Sequence, residues 1–118
     1  MRAISGQHVL VRIFTGESDI WHRQPLHTAL LERMRKMGFA GATVLHGVAG
    51  FGARSVLHSS HMLRLSEDLP VIIEVVDTEE NVERLMPILD EMVTEGLITT
   101  EKVNVVKYSP GTRPLDKS

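Results

Sequence analysis

The stretch Pro70-Val71-Ile72-Ile73-Glu74-Val75-Val76 constrains this chain most. Apart from Glu74 it is apolar, and its density of β-branched side chains suits a central, buried strand. Such a strand needs partners. Gln7 to Phe14 reads as one, with Val9, Val11 and Ile13 on one face and His8, Leu10, Arg12 and Phe14 on the other. Gly41 to Gly50 holds the strand-like run Thr43, Val44, Leu45 and Val48, and Lys102 to Tyr108 sets Val103 and Val105 against Asn104 and Val106. Glu74 on a central strand calls for a cation, for which Arg12 is the candidate.

Between these strands lie two helical patterns. Gly16 to Gln24 has turn and cap chemistry in Ser18 and Asp19, after which Pro25 suits the first turn of a helix running to about Met37. Leu26, Leu30, Met34 and Met37 form its apolar stripe, and Gly38 is its natural stop. Asp77 or Thr78 can cap the second helix, whose first turns carry Glu79, Glu80 and Glu83 where the dipole favours negative charge. Val82, Leu85, Met86, Leu89 and Val93 supply its apolar face, Pro87 predicts a kink or a one-turn break, and the end is placed near Gly96.

The order is β-α-β, long loop, β-α-β. It predicts an α+β, ferredoxin-like βαββαβ fold with a four-stranded antiparallel sheet and two helices on one face. The expectation is one domain over residues 1–118, with its core at about 7–108 and a Pro/Gly/Lys tail at 109–118. Two helices cover only one face. The other still presents Leu10 and Phe14, so self-association around a symmetry axis is expected.

Composition excludes several function classes. The absence of cysteine rules out thiol nucleophiles, thiolate zinc sites and disulfides, and fits a cytoplasmic location. Arg12 interrupts the N-terminal apolar stretch, so no signal peptide is expected, and no run approaches a membrane span. Residues 1–64 carry eight Lys+Arg against three Asp+Glu, whereas residues 65–118 carry five against twelve. Either the two halves pack together and their fields partly cancel, or the first half builds a basic cleft for an anion. Without a Lys/Arg run or an aromatic stacking series, no nucleic-acid partner is expected. No nucleophile elbow is present, and the pairs Glu79-Glu80 and Asp90-Glu91 suit a solvated helix face, so an enzyme is not expected.

Residues 53–68 have weak periodicity, carry Arg54, His58, His61 and Arg64, and sit between two clear strand patterns, the mark of a long functional loop. His58 and His61, with His46 on the preceding strand, could converge on a metal ion, although loop histidines more often hydrogen-bond their neighbours.

The segment Met37-Gly38-Phe39-Ala40-Gly41-Ala42-Thr43-Val44, followed by Gly47 and Gly50-Phe51-Gly52, resembles the PII signal-transduction proteins. Leu63-Arg64-Leu65-Ser66-Glu67-Asp68-Leu69-Pro70 and the strand after it resemble an uncharacterised bacterial and archaeal family of PII-like proteins. That resemblance implies a homotrimer with sheets facing inward and clefts between subunits that bind small anionic metabolites, often adenine nucleotides. It implies that Gly41 and Thr43 lie by the adenine and that the Gly50, Phe51, Gly52 turn brings N–H groups near phosphates. Arg54 can add a charge-assisted contact.

Where PII proteins carry a glycine-aspartate-glycine-lysine phosphate loop, this chain reads Glu95-Gly96-Leu97-Ile98-Thr99-Thr100-Glu101-Lys102, keeping Lys102 as a ligand candidate. Glu101 beside it repels polyphosphate, which points to a smaller anion. The resemblance further implies a regulator that presents residues 51–65 to a partner protein, with a membrane transporter or channel as one candidate. A metal-binding trimer using His46, His58 and His61 and a passive structural trimer are the alternatives.

Overall fold

The computed structural model describes residues 4–52 and 68–111, residues 4 and 5 as backbone only. Its elements are β1 (Ile4–Gly16), β2 (Ile20–Trp21), β3 (Gln24–Pro25), α1 (Leu26–Lys36), β4 (Ala42–His46), β5 (Pro70–Asp77), α2 (Glu79–Met92) and β6 (Leu97–Tyr108). Four strands form one sheet in the order β4-β5-β1-β6, with every neighbouring pair antiparallel. This is the α+β, ferredoxin-like arrangement.

The core lies between one sheet face and the helices. Val9, Val11 and Ile13 from β1 and Val71, Ile73 and Val75 from β5 meet Leu26, Ala29, Leu30 and Met34 from α1 and Val82, Leu85, Leu89 and Met92 from α2. The strict alternation of burial along β5 follows from its position between two strands with helices on one side only.

Helix ends show how local sequence sets the fold. Gly38 takes a φ of 87°, where a side chain would be strained. Its N–H donates to the Arg35 carbonyl and the Phe39 N–H to the Met34 carbonyl, a Schellman closure that buries Phe39 against the core. Arg33, Arg35 and Lys36 complement the negative end of the α1 dipole. At α2, Thr78 Oγ1 accepts the Asn81 N–H at 3.1 Å. Just before it, the fully buried Asp77 carboxylate accepts the N–H groups of Ala40 and Thr78 and the side-chain amide of Asn81. Asp77 thus ties the approach to β4 to the start of α2.

Four sequence expectations need correction. Residues 20–25 are a miniature hairpin rather than a plain turn, with His22 and Arg23 both in the left-handed region at its tip. Pro25 sits at the N-cap, not in the first turn, and the first helical N–H, that of Leu26, donates to the Asp19 carbonyl at 2.8 Å. The α2 helix runs without a break through Pro87 and stops at Met92 rather than near Gly96. Leu85 and Leu89 on either side of Pro87 are both fully buried, and their packing outweighs one missing backbone bond. Finally, β6 begins at Leu97 rather than Lys102, because residues 97–101 pair with residues 10–14 of β1. The expected long loop at 53–68 lies almost wholly outside the described residues.

Candidate functional site

At one end of the sheet, three connections converge on a cavity of about 460 Å³. Phe14, Thr15 and Gly16 from the end of β1, Asp19 from the turn after it, and Gly50, Phe51 and Gly52 beyond β4 form part of its wall. Asp68 and Pro70 at the start of β5, with Glu95, Gly96 and Leu97 between α2 and β6, complete it.

Backbone bonds lock these connections together. The Glu17 N–H donates to the Leu69 carbonyl at 2.9 Å and the Gly47 N–H to the Pro70 carbonyl at 2.8 Å. Close packing explains several glycines. A Cβ on Gly96 would run into the Phe14 carbonyl oxygen and one on Gly50 into the Pro70 ring, whereas one on Gly16 would meet only the movable end of the Asp68 side chain. Gly47 and Gly50 therefore seat Pro70, which aligns the two chain segments flanking residues 53–67.

The lining carries three carboxylates, Asp19, Asp68 and Glu95, and no lysine or arginine among the described residues. Two of them hold backbone donors: Gly16 N–H donates to Asp19 Oδ2 at 3.0 Å, and Ser18 N–H to Asp68 Oδ1 at 3.1 Å. Phe51 is 75% exposed and Leu97 56% exposed at the rim.

Of the sequence-predicted ligand residues, Gly50, Phe51 and Gly52 line this cavity. Gly41 and Thr43 do not line it; Thr43 pairs with Glu74 at the exposed edge of the sheet. Lys102 is opposite Val9 on β6 and also stands outside the cavity wall. Arg54, His58 and His61 lie outside the described residues. His46, about half exposed, has Nδ1 4.0 Å from Glu17 Oε2 and meets the His27 ring edge-on at a centroid distance of 5.7 Å. No group of three His, Asp or Glu side chains among the described residues could hold a metal ion.

Sequence reasoning missed the acidic side of the cavity. Gly16, Ser18 and Asp19 carried a turn signal and Asp68 sat in a quoted motif, but nothing local showed that they meet.

The sheet face turned away from the helices is organised in rows. Leu45, Ile72, Phe14 and Leu97 are successive cross-strand neighbours, making an apolar row across all four strands. The next row reads Thr43, Glu74, Arg12 and Thr99, and the one after it includes Val76, Leu10 and Glu101. Arg12 bridges the centre: Nε lies 2.7 Å from Glu74 Oε2 and an Nη 3.1 Å from Glu101 Oε1. The hydrogen bond to Glu74 chiefly holds the Arg12 guanidinium above its ordinary value. The pairing predicted from Glu74 is present, and it joins the basic half of the chain to the acidic half.

Among the described residues no helix is long and apolar enough to cross a membrane. A UPF0166 protein from Aquifex aeolicus is 37% identical over 99 residues, covering 82% of this chain and 91% of that protein. The solved structure of TTHA0516 from Thermus thermophilus, described as PII-like, aligns with a TM-score of 0.60 at 21% identity over 90% of this chain and 94% of its own. CPII from Thiomonas intermedia K12, solved with ADP, AMP and acetate, aligns with a TM-score of 0.59 at 14% identity over 89% and 92%. The family described as "Uncharacterized ACR, COG1993" matches residues 8–105. The chain shares the PII-like fold and belongs to that family, DUF190.

Proposed function

We propose that this protein is a cytoplasmic, non-catalytic PII-like regulator. Three copies close their open sheet faces about a common axis. Each cavity at the foot of residues 53–67 then meets a neighbouring subunit and binds a small anionic metabolite, with an adenine nucleotide as the leading candidate. Occupancy biases how residues 51–65 are presented to a partner protein, for which a membrane transporter or channel is one candidate. A ligand can shift that presentation only through differential affinity for its conformations.

The observation that carries the proposal is the cavity bounded by Gly50–Gly52 on a PII-like fold whose structural neighbour CPII was solved with ADP and AMP. The lining argues for few phosphates. Each added negative charge within several ångströms of the three carboxylates costs on the order of 1 kcal/mol even at a water-like dielectric.

Isothermal calorimetry with AMP, ADP and ATP tests this. Saturable heat is expected for AMP and ADP, with ATP weaker than AMP by about tenfold or more. No saturable heat with any of the three contradicts the adenine-nucleotide assignment.

The second reading is a metal-binding trimer using His46, His58 and His61; His46 with its neighbours Glu17 and His27 does not by itself make a metal site, and His58 and His61 lie outside the described residues. Saturable zinc heat that His46→Ala abolishes would favour it. Silence with nucleotides and with zinc would leave the passive structural trimer.

A further inference from the structure

The helix-free face of the sheet changes character from row to row. The row Leu45, Ile72, Phe14 and Leu97 is apolar on all four strands, and the next, Thr43, Glu74, Arg12 and Thr99, is polar on all four. Val76 and Leu10 restore apolar surface beyond it, where Glu101 ends the row on β6. The charges are arranged before any partner arrives: Arg12 Nε lies 2.7 Å from Glu74 Oε2 and an Nη 3.1 Å from Glu101 Oε1, so three adjacent strands hold one guanidinium. These contacts engage two of its five N–H donors. In the single chain the side chains of Glu74, Arg12 and Glu101 are 31, 39 and 59% exposed, so a copy packed on this face takes all three from water.

Apolar contact alone is non-directional and does not choose among registers. A polar row set into an apolar face does. Resting on the trimer reading above, we propose that Arg12 and Glu74, with Glu101 beside them, fix the register and relative direction of the copies in the assembly. Rotation about an axis along the strands keeps every row at its own height, so charged row meets charged row and apolar row meets apolar row. A slide of two residues, about 7 Å, sets the ion pair against the apolar row of the next copy, where its desolvation is not repaid. That slide is also what turns a closed ring into an open-ended chain of copies. An inverted pair of copies fares no better: centred on the charged row, it brings Glu101 to the height of the apolar row. The network therefore contributes specificity to the contact, while the apolar rows supply the attraction.

The test is sedimentation velocity of the full-length wild type and three variants at micromolar concentration, with circular dichroism as the check on folding. The core side chains next to these positions, Val11, Ile13, Ile73 and Val75, face the helices and are untouched. The double variant Arg12→Leu/Glu74→Leu removes the ion pair without stranding either charge, and it is expected to stay associated but to spread over several masses, some above three chains. Arg12→Gln/Glu74→Gln keeps the row polar and is expected to keep a single three-chain species. Arg12→Leu alone leaves Glu74 in the contact without its cation, so most of the trimer should be lost at concentrations where the wild type is assembled. A single three-chain species for the leucine double variant, or an undiminished trimer for Arg12→Leu, would overturn the register role and leave the trimer reading intact. A spread of masses for the glutamine double variant would overturn it equally. A wild type sedimenting as one chain would overturn the trimer reading and, with it, this inference.

Discussion

Asp77→Ala is expected to destabilise the fold by about 4 kcal/mol, a large share of the stability of a small domain. The carboxylate is fully buried and serves the Ala40 N–H, the Thr78 N–H and the Asn81 amide at 2.8 to 3.1 Å. Alanine would leave these part-buried donors without their shared acceptor, and each buried unsatisfied group costs about 1–3 kcal/mol. It would also loosen two places at once, because Ala40 leads into β4 and Thr78 caps α2. Asp77→Asn keeps the shape and one acceptor oxygen, so a loss of about half as much is expected. Urea midpoints at one fixed protein concentration measure both, since the proposed trimer would couple stability to concentration. A midpoint for Asp77→Ala within error of wild type would show that this cluster does not hold the two elements together.

Ile72→Asp is expected to convert the proposed trimer into folded monomers. Ile72 stands on central β5 between Leu45 and Phe14, in the row that Leu97 completes, and it faces away from the helices. Its neighbours Val71 and Ile73 carry the core contacts and are untouched. In the monomer the new carboxylate is solvated; in a trimer three of them would be desolvated near the axis, at several kcal/mol each. Circular dichroism should therefore be unchanged while the sedimenting mass falls. A variant that stays assembled would mean that this row is not the contact surface.

The central elements were legible because their signals are local. Val71 to Val76 announced a buried strand, Gly38 a helix stop, Thr78 a cap, and Glu74 on that strand a cation that Arg12 provides at 2.7 Å. The misses were tertiary. Residues 97–101 become strand because β1 offers them a partner, and α2 survives Pro87 because two leucines flanking it are anchored in the core. At the site, the Gly50-Phe51-Gly52 signal marked one wall. The Ser18–Asp68 contact joins residues 50 apart in sequence, and no periodicity or local motif encodes such a meeting. Gly47 and Gly50 teach the same lesson, since the space they leave is filled by Pro70 from another strand.

Sedimentation equilibrium of the wild-type chain at micromolar concentration tests the account most directly. Closure of the open sheet faces predicts a mass three times the 13.2 kDa of one chain. A mass of one chain under those conditions, with the row from Leu45 to Leu97 left in water, would contradict it.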